Sequence, residues 1–176
     1  MDRLDLRIID ALQREGALTK AQLAARVGST PSTCLRRVQR LKKSGHLRRC
    51  VYLADPGKLQ RGIRAIITVV TRSQAREERE ALARKIRREP AITLAYGVTG
   101  ELDAILHGNF IDMEEYQATC DRLFEHDAHI VRYTTLFAVE RYKEETAIPT
   151  DGLEAKIAAG EKPDPLPTDA SKVGSA

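Results

Sequence analysis

An α+β fold in two parts is what the sequence predicts, and three observations carry it. Three short amphipathic helices follow one another within the first 45 residues, the last two separated only by Gly28 and Ser29. From Ile63 the apolar period changes from helical to alternating, and the segments run strand, helix, strand, strand, helix, strand. Charge divides at the same place: residues 1–62 hold 14 Lys and Arg against 5 Asp and Glu, a net +9, whereas 63–142 carry −2 and 143–176 carry −3. A basic module joined to a near-neutral one points to an anionic partner for the first part alone.

Composition excludes several classes. With 42% hydrophobic and 31% charged residues, the 176-residue chain can bury an ordinary core, as one large domain or two small ones. No apolar run approaches the roughly 18–20 residues that span a bilayer, and Asp2, Arg3, Asp5 and Arg7 stand where a secretory signal needs an apolar stretch, so a cytoplasmic location is expected. Cys34, Cys50 and Cys120 form no C-x-x-C pair, which supports neither a disulfide framework nor a cysteine-rich zinc site; reduced, mostly buried thiols are expected. The absence of Trp and an aromatic content of 5% argue against a stacking platform for single strands and leave duplex DNA open.

Within the basic third, Leu4, Ile8, Ile9 and Leu12 place a helix over 3–15 with Asp2 as N-cap and Gly16 as its stop. Thr19 and Gln22 have capping-box spacing for a second helix ending at Gly28. Thr30 caps a third, with Pro31 at its first position, that runs to Ser44 and stops at Gly45. Two short helices joined by so tight a Gly-containing turn are a helix-turn-helix signature. Residues 47–53 read as a short strand, a wing or the start of a connector, closed by Asp55-Pro56-Gly57.

On the third helix Cys34, Leu35, Val38 and Leu41 share one side, and Ser32, Thr33, Arg36, Arg40 and Lys43 the other, with Arg37 at the margin. A basic helix face is often merely solvated; here it belongs to the helix that such motifs place in the major groove. Ser32, Thr33, Arg36 and Arg37 are the candidate base readers, and Arg40 and Lys43 are better placed for phosphates.

In the second part, 63–71 is a strand with neither face convincingly polar, so it needs cover on both sides. Ser73 caps a helix over 74–88 with Ala75, Leu82 and Ile86 inward. Strands over 92–98 and 103–109 form a hairpin bent at Gly100. Asp112 with Glu115 caps a helix whose stripe is Met113, Tyr116, Cys120, Leu123 and Phe124, and 130–139 is the last strand. This is the ferredoxin-like βαββαβ order, with both helices on one face of the sheet. Val131, Tyr133, Phe137 and Val139 are expected on the uncovered face, and a homodimer is expected to seal it. Residues 143–176, rich in Pro and Gly, read as a flexible tail with a short helix over 153–159. The domains are therefore 1–62, 63–142 and the tail.

The stretch from Asp2 to Leu59, above all Gly28-Ser-Thr-Pro-Ser-Thr-Cys-Leu-Arg-Arg-Val-Gln-Arg-Leu-Lys-Lys-Ser-Gly45, resembles the DNA-binding domain of the Lrp/AsnC family, and Val98-Thr-Gly-Glu-Leu-Asp103 resembles the V-T-G-x-x-D segment of that family's amino-acid-sensing domain. Lys42 departs from the Glu frequent there, making this helix more basic. The resemblance implies a winged helix-turn-helix regulator of transcription that reads pseudo-palindromic DNA, senses a small effector and assembles as dimers, often octamers. It places effector contacts at Val98, Thr99, Gly100, Glu101 and Asp103. Exposed amides around Gly100 suit a ligand carboxylate and Asp103 an ammonium, although Gly and Asp also serve turns for purely conformational reasons.

Two rivals remain at this level. A ferredoxin-like enzyme lacks support: there is no phosphate loop, G-x-S-x-G or H-E-x-x-H, and His126 and His129 have only Asp127 nearby, so no catalytic residue, metal or cofactor is expected. An architectural protein coating DNA with little sequence choice differs from a local regulator in its ratio of specific to non-specific affinity.

Overall fold

In the computed structural model residues 1–73 and 75–159 are described, and the chain folds as two compact units, Met1–Tyr52 with the segment from Lys143, and Leu53–Tyr142. The first unit is built on α1 (Arg3–Arg14), α2 (Lys20–Val27) and α3 (Pro31–Lys43). Each start is capped as the sequence requires. Asp2 Oδ1 accepts from the Asp5 amide at 3.0 Å, Thr19 Oγ1 from the Gln22 amide at 3.2 Å, and Thr30 Oγ1 from the Thr33 amide at 3.3 Å. Gly28 takes the left-handed conformation (φ 62°) that ends α2 without a Cβ clash. Ile8, Ala11, Leu23, Ala24, Val27, Cys34 and Leu41 close the core between the three helices.

Residues 47–53 are not a strand. Leu47 donates its amide to Leu41 O at 3.1 Å, closing α3, and beyond it Val51, Tyr52 and Leu53 are exposed irregular chain. An extended segment becomes a strand only with a partner, and among the described residues none pairs with it. Of the three thiols expected to be mostly buried, Cys34 and Cys120 are buried and Cys50 is exposed.

The second unit has four strands, β1 (Ile63–Thr71), β2 (Ile92–Gly97), β3 (Ala104–Phe110) and β4 (Ile130–Phe137), with α4 (Arg76–Arg87) after β1 and α5 (Met113–Cys120) after β3. The sheet order is β2-β3-β1-β4, all pairs antiparallel. Ala65, Ile67 and Val69 of β1 and Ala104, Leu106 and Phe110 of β3 face Leu82 and Ile86 of α4 and Tyr116 and Cys120 of α5. A π-helical turn, Asp121–Glu125, continues α5 and buries the consecutive Leu123 and Phe124 together.

Several expected positions move. Ala75, not Ser73, is the N-cap of α4, and it is exposed. Met113 is also exposed. Tyr133 and Phe137 lie on the covered side of the sheet, Tyr133 stacked on Phe124 at 4.7 Å and Phe137 edge-on to Tyr116 at 5.1 Å. Tyr133, Thr135 and Phe137 pair with the buried Val69, Ile67 and Ala65 of β1, so the open face of β4 carries Arg132, Thr134 and Leu136, opposite Val70, Thr68 and Ile66, and the register shifts only beyond Val70. Leu94 and Tyr96 of β2, which pair with His107 and Ile105, complete an open face on which Leu94, Tyr96 and Leu136 are exposed.

Residues 143–159 include α6 (Leu153–Ala158). The Gln13 side chain of α1 donates to Ile148 O and accepts from the Ile148 amide, both at 2.8 Å. The remainder of the expected tail, 160–176, lies outside the described residues.

Gly108 in β3 is packed so closely that a Cβ there would stand 2.5 Å from the Phe110 ring and 3.2 Å from Ile92 Cδ1. Gly108→Ala is therefore expected to cost about 1–3 kcal/mol by overpacking, whereas Gly97→Ala, whose nearest neighbour would be at an ordinary 3.8 Å, stays within about 0.5 kcal/mol. Urea denaturation of the full chain checks both; equal midpoints would contradict the packing.

Candidate nucleic-acid interface and effector hairpin

The outward face of α3 is a stripe at helical spacing. Ser32, Leu35, Arg36, Gln39 and Lys43 are all exposed and line up at i, i+3, i+4, i+7 and i+11. Sequence reasoning put Leu35 with the core, where it belongs by polarity, but it is 37% exposed on this stripe. Gln39 was not singled out by sequence; its place seven residues after Ser32 was the available signal. The stripe starts in a cluster of hydroxyls: Thr30 Oγ1 donates to Thr33 Oγ1 at 2.9 Å and lies 3.2 Å from Ser32 Oγ. Thr33 is half-buried.

Arg37 and Arg40 have a second engagement. Asp5 is completely buried, and its carboxylate takes the Asp2 amide at 3.0 Å, Arg37 at 2.9 Å and Arg40 at 2.5 Å; Arg37 also reaches the Asp2 carboxylate. The capping box of α1 is thus bolted to α3. The Arg37 side chain, at the margin of the polar face in sequence, is 19% exposed and turned toward α1, whereas Arg40 stays 59% exposed beside the same carboxylate. Burial alone would raise the Asp5 pKa, but the Arg37 and Asp2 hydrogen bonds outweigh it and hold the carboxyl below the usual range. The Arg37 hydrogen bond does the same for Asp2. His46 Nδ1 is 2.7 Å from Ser44 Oγ, just past the helix.

In the second unit the hairpin between β2 and β3 turns through Gly100 at φ 109°, a backbone state that disfavours side chains, with Thr99, Gly100 and Glu101 exposed and Val98 half-buried. Asp103 is its anchor. Its amide donates to Val69 O at 2.9 Å, its carbonyl accepts from Val98, and its Oδ2 accepts from the Thr71 amide at 2.7 Å, where β1 shifts register. The carboxylate expected to meet a ligand ammonium therefore fastens the hairpin to β1.

Residues 64–148 match the model of the Lrp/AsnC ligand-binding domain, and residues 1–47 that of a winged helix-turn-helix DNA-binding domain. An HTH-type transcriptional regulator of Sinorhizobium fredii is 30% identical over 151 residues, 86% of this chain and 89% of its own. The chain belongs to the Lrp/AsnC family. A transcriptional regulator of Neisseria meningitidis solved as a complex with L-Met superposes with a TM-score of 0.81 at 30% identity, covering 87% of this chain and 99% of that one. An AsnC family regulator of Agrobacterium tumefaciens gives 0.80 at 30% identity, covering 86% and 98%. This Lrp/AsnC protein is a DNA-binding regulator of transcription that responds to a small effector. Among the described residues no helix is long and apolar enough to cross a membrane.

The depressed Asp2 and Asp5 pKa values carry a pH dependence of known sign. Carboxylates held below their unfolded value, about 3.9, stabilise fully above that pH and lose the contribution as pH falls through the folded value. The first unit should unfold in acid with a limb that flattens in Asp5→Asn. Thermal denaturation between neutral pH and about pH 3 reads it; parallel acid limbs in both proteins would refute it.

Proposed function

We propose that the α3 stripe reads duplex DNA, with Ser32 and Arg36 at base edges, Gln39 between them and Lys43 and Arg40 at phosphates, while Thr33 organises the helix start and Arg37 supports the helix from behind. The observation that carries this reading is the net +9 of residues 1–62 together with an exposed basic stripe on the second helix of the turn motif. No catalytic role is assigned to any residue, and a cytoplasmic location suits a DNA-binding regulator. A second copy is proposed to cover the open sheet face around Leu94, Tyr96 and Leu136, because an apolar sheet surface of this kind is unfavourable in water. Two heads of such a dimer address half-sites about 34–36 Å apart or a multiple of it.

The test compares DNA enriched by binding from a random pool with the unselected pool. Arg36→Ala should lose about 1–3 kcal/mol of discrimination, while Lys43→Ala should weaken both alike and flatten the salt dependence by about one unit of slope. Equal losses on both pools for Arg36→Ala would remove it as a base reader.

For the effector we infer an amino acid, bound at the 98–103 hairpin. Supporting this are the L-Met held by the Neisseria relative and, here, an exposed turn whose amides around Gly100 meet no side-chain obstruction. Asp103 contributes by holding the turn in shape, and Val98, Thr99 and Glu101 border it. Calorimetric titration with the twenty amino acids should find a ligand whose affinity falls at least tenfold in Gly100→Val, where a β-branched side chain is forced to a positive φ. Unchanged binding in that variant would move the site elsewhere.

A further inference from the structure

The stripe of α3 accounts for direct contacts, but the most deeply buried charge of the first unit lies behind it. We propose that Asp5 is a positioning residue for DNA binding, holding the Arg40 guanidinium oriented for a backbone phosphate; this rests on the reading that α3 faces DNA.

The geometry is specific. Asp5 is fully buried on α1, yet Arg40 Nη2 reaches its Oδ2 at 2.5 Å while 59% of the arginine side chain remains in solvent. A guanidinium is a rigid fork with five donors, so one edge can serve Asp5 while the other donors stay available to an incoming oxyanion. A long basic side chain ordinarily loses rotamer freedom when it grips a phosphate; here Arg40 is already held before DNA arrives. Asp5 itself is kept in place by the Asp2 amide and by Arg37, whose side chain is 19% exposed and so takes the buried share of the neutralisation. The two arginines therefore divide the work: Arg37 compensates the buried carboxylate, and Arg40 carries that anchor out to the surface. Lysine could not replace Arg40, because a point charge on a flexible stem lacks a second rigid edge.

Binding of a fluorescein-labelled random-sequence duplex across a salt series tests this, since a phosphate contact is independent of sequence. Arg40→Ala is expected to weaken binding about tenfold and to reduce the salt slope by about 0.9. Asp5→Asn, which keeps the shape of the carboxylate, should weaken it several-fold and add nothing in an Arg40→Ala background, the signature of a residue acting through Arg40. Arg40→Lys, which keeps the charge at an exposed position, should recover the slope without the affinity. Binding by Arg40→Lys equal to that of the unaltered protein, or losses for Asp5→Asn and Arg40→Ala that multiply in the double variant, would overturn the proposal. If Arg36→Ala, Arg40→Ala and Lys43→Ala all leave affinity unchanged, the α3 reading itself fails and this one with it; loss in those three but not in Asp5→Asn overturns the positioning role alone.

Discussion

Asp5 has no contact with water, and the groups that bind its carboxylate come from the two helices that must be set against each other. A buried carboxylate is tolerated only when cations and amides replace its hydration, and breaking such a pair by removing one partner costs about 3–5 kcal/mol. That constraint draws Arg37 and Arg40 of α3 to α1, while Cys34 and Leu41 turn into the core and Ser32, Arg36, Gln39 and Lys43 stay outward. The apolar core of Ile8, Leu23, Val27 and Leu41 supplies adhesion, which is non-directional; the ion cluster adds directional bonds from Arg37 and Arg40 to α1.

The second unit is governed by a different asymmetry. Two helices cover one face of a four-stranded sheet, and on that face aromatic rings pack in two groups, Phe110 against Tyr116 and Tyr116 against Phe137 in one, Phe124 against Tyr133 in the other. Burial pushes the Tyr116 hydroxyl up to about 12, and it donates to Thr135 Oγ1 at 2.7 Å, so the ring packs without stranding its polar end. The opposite face keeps Leu94, Tyr96 and Leu136 in solvent. At the sheet's end the Asp103 carboxylate repairs the register shift at Thr71 and, by doing so, presents the Gly100 turn. One side chain thereby connects the stability of the domain to the shape of its exposed hairpin.

Local rules of sequence were sufficient for the helices and most of the strands. Asp2, Thr19 and Thr30 cap where their spacing to the following amides says they must, Gly28 ends α2, and the βαββαβ order is visible because period 2 and period 3.6 are properties of contiguous residues. The basic character of α3 and the glycine turn of the hairpin are legible for the same reason, and so is the resemblance that rests on them.

What the tertiary structure decided is whatever depends on residues far apart in the chain. Arg37 stands at the margin of the polar face in sequence, and only the approach of Asp5, more than thirty positions away, turns it toward α1 while Arg40 pairs with the same carboxylate and stays exposed. Alternation shows which residues of β4 share a face but not which face is covered; pairing with the buried Val69 and Ala65 of β1 puts Tyr133 and Phe137 on the covered side. Gly108 reads as a weak residue in a strand until the Phe110 ring is seen to fill the space of its Cβ. Residues 47–53 have strand propensity and no strand partner among the described residues, and a ladder requires two segments, of which this stretch supplies one.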